Sequence, residues 1–486
     1  MNREAIFAHI DANLDAHVAH IQSWVRQPSV SWDDMGVADC AALVANSYRA
    51  LGCQQVELPE GRFYPGVFAE YDAGAPLTVH NYCMFDTRTV RPEEWRYDPW
   101  GAELIAQGPY PKVLMGRGSM GAKGPYVAWL NALSSIIAVE GTLPINVVFL
   151  AEGEEILGSP SYRDFVERYR DRLARVNASF CPASTQNAAG SVSVGLGLKG
   201  MIVVELTATG AAWGHGPGHT VHSATGGLLD SPPFRLASAL ATLVEPDGRG
   251  CAVEGMGEWW TYRKPLEAEE QALLDKLAAR AEGKDWRDVL PLGGPANAPS
   301  IRGGMEGMEP LVNYLYGPTF NIAGLRSGFL GRKSATIPFI VPSEATAMLD
   351  MRMVIDAEPE AVIQALRRHL DARGFSDIRI DTYAAFSHSQ TSLQALVVQA
   401  GLQTLAQWGI EPVVWPIEAG GGPWTVVPNA FNVPCLRGAA IGGGGRGNAD
   451  EYMVIEGDGK VAGLADVEKY YVDLVLNYAA TASATT

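Results

Sequence analysis

The sequence predicts an α/β fold. A first domain is built on a mixed or parallel sheet covered by helices, and an inserted α+β module interrupts it. Three observations carry this. Short apolar runs bounded by turn residues alternate with helical segments over the first 200 residues, as strands buried on both faces require. Near residue 200 the texture changes to a strand–helix–strand–helix–strand pattern. After Gln390 the first texture returns. The expected organisation is therefore a first part over 1–205, an insert over 206–385, and a second part of the same domain over 386–486.

Element by element, residues 1–30 place Ile6, Ile10, Leu14, Val18, Ile21 and Val25 at helical spacing and stop at Gln27-Pro28. Residues 38–51 read as a second helix and Gln55–Leu58 as a strand. PLTVHNYCMFD (76–86) is an apolar run ending in a carboxylate. A helix follows Gly124, and PINVVFLAEGEE (144–155) is a buried strand leading into an acidic loop. Side chains at the carboxyl ends of such strands line the crevice of an α/β sheet, and Asp86 and the Glu152/Glu154/Glu155 group fall there.

In the insert, MIVVELTAT is a strand, followed by the Gly/His-rich loop AAWGHGPGHTVHSATGG and a helix around 233–244. ATAMLDMRMVI and IRIDTY are strands flanking the helix PEAVIQALRRHLDARG. A long Gly- and Pro-rich insertion covers 245–320. Beyond it come the helix LQALVVQAGLQTLAQWG, the strand EPVVWP and glycine-rich loops. The C-terminal ATASATT reads as a frayed tail.

Composition bounds the function. Hydrophobic residues are 47% of 486, enough for full cores. The net charge of −17 repels phosphate backbones and excludes a general nucleic-acid binder. No window approaches the ~20 apolar residues of a membrane span, and the polar N-terminus has no apolar leader. Six scattered cysteines without a CxxC pair suit a reducing, cytoplasmic setting.

Five strings, CMFD (83–86), GRGSMGAKG (116–124), EGEEILGS (152–159), HSATGG (222–227) and GNADE (447–451), occur in the order and spacing of one enzyme family. With DPWGAEL and TVVPN between them, the chain resembles the dinuclear-zinc hydrolases that include carnosine dipeptidases, aminoacylases, succinyl-diaminopimelate desuccinylases and glutamate carboxypeptidases. The resemblance runs from residue 20 or so to near 475, and the length suits the carnosine dipeptidase branch. It implies a zinc-peptidase-like catalytic domain and a ferredoxin-like dimerisation or lid domain, hence a homodimer. It also implies hydrolysis of a C–N bond in a small carboxylated substrate.

The resemblance breaks at the family's metal ligands. The His of Gly-His-x-Asp is replaced by Met84, and the bridging Asp of Gly-Arg-Gly-x-x-Asp-x-Lys-Gly by Gly121. An ungapped match of EGEEILGS makes Glu155 the catalytic carboxylate and puts Ile156 at the ligand position; a slipped register would make Glu154 catalytic. The fourth ligand falls at Ala183 or Ser184, and the last at Gly447. Zinc needs imidazole, carboxylate or thiolate donors, so no metal and no other cofactor is expected. His215, His219 and His222 stand at i, i+4, i+7, but their Gly/Pro-rich surroundings argue against a helix that would align them for a relocated metal.

The retained residues carry the expected chemistry. Glu155, Asp86 and His222 are the candidate catalytic groups; His222 corresponds to the family's lid-domain His, which reaches the partner subunit's site. Arg352, Glu154, Lys123 and His219 are candidate substrate-binding groups. His219 takes the His222 role if the loop gap is placed differently, and Arg352 matches the dipeptidase branch's carboxylate grip. Asp86, freed of its ligand His, becomes a second acid/base candidate. Cys83 reads as packing unless its thiolate is stabilised.

Without a metal to make hydroxide, either the scissile bond is unusually easy to break or Glu155 takes a proton from carbon. The first reading is a metal-independent hydrolase. The alternatives are a metal-independent lyase or isomerase, and a ligand-binding pseudoenzyme.

Overall fold

The computed structural model describes residues 1–246, 250–261, 264–290, 301, 304–329 and 339–482. An eight-stranded mixed sheet forms the main domain, in the order Gln55–Glu57, Val67–Tyr71, Asn146–Glu152, Thr78–Met84, Ala178–Cys181, Cys435–Gly438, Ser193–Gly195, Val413–Trp415. Its centre is parallel: Thr78–Met84 pairs with Asn146–Glu152 on one side and Ala178–Cys181 on the other. The carboxyl ends of these strands therefore open on one side, with Met84 opposite Glu152.

The helices follow their apolar periodicity. Val37–Leu51 buries Val37, Ala41, Val44, Tyr48 and Leu51 and stops at Gly52, whose φ of 95° is the left-handed conformation that ends a helix. Lys123–Glu140 lies deeper and is buried nearly all round. The helical pattern over 1–30 is two helices, Arg3–Ala12 and Leu14–Arg26, separated at Asn13.

The insert is a four-stranded antiparallel sheet in the order Thr319–Ser327, Glu344–Met353, Gly200–Thr209, Arg379–Phe386. With the helices Pro232–Ala241 and Pro359–Ala372, chain order βαββαβ and spatial order 2-3-1-4 make it ferredoxin-like. Thr319–Ser327, which lies largely outside the expected pattern, is an exposed edge strand without apolar alternation. The 245–320 insertion contains helices Ala268–Ala281 and Glu309–Tyr316. Leu274, Leu277, Leu311 and Leu315 pack there against Val354 and Ile417, so the described part of the insertion includes packed helices. The tail residues 483–486 lie outside the described residues. No described helix is long and apolar enough to cross a membrane.

Candidate active site

A cavity of about 380 Å³ opens at the carboxyl ends of the parallel strands. Its lining includes Met84, Gly121, Ile156, Ala183 and Gly447, which are the positions where the resemblance implies metal ligands. Residues from five separate stretches of chain thus meet around one space. Among the described residues, no group of three His, Cys, Asp or Glu is arranged to hold a metal ion. A thioether, an isoleucine, an alanine and two glycines are not zinc donors, so this side-chain set does not fit a dinuclear zinc centre.

Glu155 lies in this cavity, half-buried. The strand Asn146–Glu152 delivers it, and a 3₁₀ turn over Glu155–Leu157, closed by Gly158 at φ 92°, aims it. Burial raises its pKa to about 7; neighbouring Asp86 adds to the rise, and Arg88, Arg437 and Arg446 oppose it.

Asp86 departs from the role of a free acid/base. It is fully buried, accepts a hydrogen bond from Ser31 Oγ at 2.7 Å, and accepts the amide N–H groups of Glu155 and Ile156 at 3.2 and 2.9 Å. Its carboxyl holds the backbone of the turn that carries Glu155, and burial pushes its pKa up to about 6.

Two further candidates lie outside the cavity lining. Glu154 points away from the cavity and accepts the N–H groups of Phe63 and Tyr64, each at 2.7 Å. Lys123 is fully buried, and its ammonium donates to the carbonyls of Trp24 and Gln27 at 3.0 and 2.6 Å. Both tie loops around the site to the main domain, and neither reaches the cavity lining. Cys83 lies in the lining, but burial holds its thiol well above the ordinary range, so it is no thiolate.

The lid-domain candidates are elsewhere. His222, His219 and His215 are exposed on the insert, away from the cavity lining, and no helix runs through them. His222 Nδ1 accepts the Ala224 N–H at 3.1 Å, which leaves Nε2 as the protonated donor of the neutral ring. Arg352 lies on Glu344–Met353 and makes a bidentate pair with Asp350, both contacts at 2.9 Å. Within one chain, Glu155 is the sole predicted site residue in the cavity lining.

Sequence reasoning missed the cations and aromatics around it. Arg88, Arg117, Arg437 and Arg446 line the cavity, with Tyr82, Tyr126 and Trp424. Arg117 is paired with Glu451 at 2.8 Å, and Arg437 with Glu418 at 2.6 Å while lying over the Trp424 ring. Two signals were available: Arg88 follows Asp86 by two residues, and Arg446 is the one charged residue in the run IGGGGRG.

A profile of the peptidase dimerisation domain matches residues 196–377. The chain is 24% identical over 389 residues to the human Beta-Ala-His dipeptidase, covering 76% of this chain and 71% of that protein. It is 22% identical over 404 residues to the Cys-Gly metallodipeptidase dug1 of Schizosaccharomyces pombe, covering 80% of this chain and 79% of that one. Among solved structures, an M20 family metallo-carboxypeptidase from Sulfolobus solfataricus superposes with a TM-score of 0.78 at 25% identity, over 96% of this chain and 99% of that one. Human carnosine dipeptidase 1 shares the fold at a TM-score of 0.73 and 20% identity, over 98% of this chain and the whole of the other.

Proposed function

Because the chain belongs to the M20 peptidase family and carries its dimerisation domain, we propose that it is a metal-independent hydrolase of a C–N bond in a small carboxylated amide, with Glu155 as general base. One observation carries the reading. The five positions implied as metal ligands surround the cavity without a zinc donor among them, while the inherited carboxylate stays in place with its pKa raised to about 7. A carboxylate poised there is half ionised near neutral pH, where a base is both available and strong enough to matter.

In this reading Glu155 takes a proton from the attacking water and returns it to the leaving nitrogen. Without a metal the water is a weak nucleophile, so the bond must be an easy one, such as a strained ring or an activated acyl group. His222 of a partner subunit would supply the Nε2–H donor to the developing oxyanion. The exposed edge strand Thr319–Ser327, with Leu325 65% exposed, supports edge-to-edge pairing of two inserts in a C₂ homodimer.

The test is turnover of a panel of carboxylated amides in ¹⁸O-labelled water with a chelator present, alongside elemental analysis. Label in the product, with activity unchanged by chelator and no stoichiometric zinc, is the expected result. About two equivalents of zinc lost together with activity would overturn it. Solvent deuterium at carbon without ¹⁸O incorporation would assign a lyase or isomerase, and neither label would assign a binder.

The pH dependence has a definite sign. The base must be ionised, so kcat/KM should rise with pH and level off above about 7. Stability should move the opposite way. Asp86 and Glu155 keep their protons in the fold up to about 6 and 7, against ordinary values of 3.8 and 4.5. The folded state therefore binds more protons across that window, and the stability these groups contribute is lost as pH rises through it. Denaturant midpoints at pH 5 and pH 8 check this; a midpoint higher at pH 8 would contradict it.

A further inference from the structure

Two glycines and two arginines in the cavity fit each other. A Cβ on Gly121 would lie 3.1 Å from Arg446 Cγ and 3.5 Å from its Cδ. A Cβ on Gly447, whose φ of +78° already favours glycine, would lie 3.1 Å from Arg88 Nη1. The resemblance implies a bridging Asp and a ligand His at these two positions. Here each has lost its side chain, and an arginine lies against the bare backbone.

The charges around the cavity do not cancel. Glu451 neutralises Arg117 and also accepts the N–H groups of Met120 and Gly121, at 3.1 and 2.7 Å. Glu418 neutralises Arg437. Arg88 and Arg446 have no ion-pair partner among the described residues. Arg88 and Arg446 are exposed side chains that line the cavity, and Glu451 lies near Arg446. Two guanidiniums without a direct ion-pair contact thus line one small cavity with Glu155, whose carboxyl they influence, and with the aromatic groups Tyr82, Tyr126 and Trp424. Their mutual repulsion falls when an anion lies between them, and a guanidinium matches a planar carboxylate through two parallel hydrogen bonds.

We propose that Arg88 and Arg446 form a carboxylate subsite beside Glu155, in space opened by Gly121 and Gly447, so that the substrate carries a carboxylate close to its scissile C–N bond. The proposal rests on the hydrolase reading for what is cleaved, but not for what is bound. It is also separate from Arg352, which lies on the insert and is paired with Asp350.

Equilibrium binding tests it without turnover. Succinate, its neutral diamide succinamide, and inorganic phosphate are titrated into the full-length protein at low salt, followed by calorimetry and by tryptophan fluorescence. Succinate should bind, and succinamide should bind at least tenfold more weakly. Arg88→Gln and Arg446→Gln should each weaken succinate by about tenfold or more, as loss of a charge-assisted hydrogen bond predicts.

Gly121→Asp retains both arginines but places a carboxylate against Arg446, and it should weaken succinate as much as Arg446→Gln does. Circular dichroism identifies any variant that fails to fold, and the remaining substitutions and the ligand comparison still decide the matter. Failure of succinate to bind at 10 mM-scale concentrations, equal binding of the diamide, or unchanged binding in the folded arginine variants would each overturn the proposal. Phosphate binding tighter than succinate would overturn the carboxylate assignment in favour of a phosphoryl group. If succinate binds as expected while Glu155→Gln leaves turnover intact, the subsite stands and the hydrolase reading fails.

Discussion

Glu155→Gln is expected to lower kcat by roughly 10²–10⁴, the usual contribution of a positioned general base. Glutamine keeps the size of the side chain and its hydrogen-bonding capacity, so substrate binding should change far less than turnover. Stability gives an independent readout. Because burial raises the Glu155 pKa to about 7, its charge is unfavourable to the fold above that pH, and the neutral amide should leave the protein as stable or more stable at pH 8.

Glu154→Gln should behave in the opposite way. It removes the charge that two backbone N–H groups donate to, so it should cost about 1–3 kcal/mol in denaturant unfolding, with little effect on kcat in the surviving folded enzyme. Steady-state kinetics and urea titrations of both variants separate the two roles. If Glu154→Gln abolished turnover and Glu155→Gln did not, the base would be the other glutamate. If neither affected turnover, the inherited-base mechanism would fail.

Glu451→Gln is expected to destabilise the fold by about 3–5 kcal/mol, the cost of leaving a buried charge without its partner. Arg117 and Glu451 are 5% and 1% exposed at their side chains and meet at 2.8 Å. The remaining Glu451 oxygen clasps the loop that runs through Met120 and Gly121. The Glu451 backbone carbonyl also accepts the Gly116 N–H at 2.8 Å, so a single residue closes this loop over the cavity. Arg117→Met combined with Glu451→Gln removes the stranded cation and should recover part of the loss. A double-mutant cycle in urea measures this coupling, and strictly additive costs would show that the pair acts as two independent groups.

The positions of the core elements were legible because they depend on local chemistry. NVVFLAE is apolar along nearly its whole length because it lies at the centre of a sheet with both faces covered, and Val37–Leu51 repeats its apolar residues at the helical period because one face is buried. Edges were harder to read. Thr319–Ser327 carries no alternation because neither of its faces is well buried. Val67–Tyr71, an interior strand between Gln55–Glu57 and Asn146–Glu152, was hidden for another reason: it contains Glu70, buried although it is charged, because Arg172 reaches it at 3.1 Å. An ion pair formed across more than a hundred residues leaves no trace in a local pattern.

The same division runs through the site. Sequence alone determined which chain positions belong together: four of the five motif strings carry Met84, Gly121, Ile156 and Gly447, which line one space with Glu155, while HSATGG lies on the insert away from it. Tertiary structure alone decided what fills that space and which way each side chain faces. Adjacent glutamates differ by one residue in the sequence, yet the 3₁₀ turn held by Asp86 sends Glu155 into the cavity and Glu154 onto the Phe63–Tyr64 backbone. Lys123 is a titratable group in a motif string, but its ammonium donates its hydrogen bonds to two backbone carbonyls away from the cavity. Arg88 and Arg446 come from loops more than 350 residues apart, and each is admitted by a glycine on a different segment. Whether a side chain can occupy a given volume is set by atoms far away along the chain, and those distances exist only once the chain has folded.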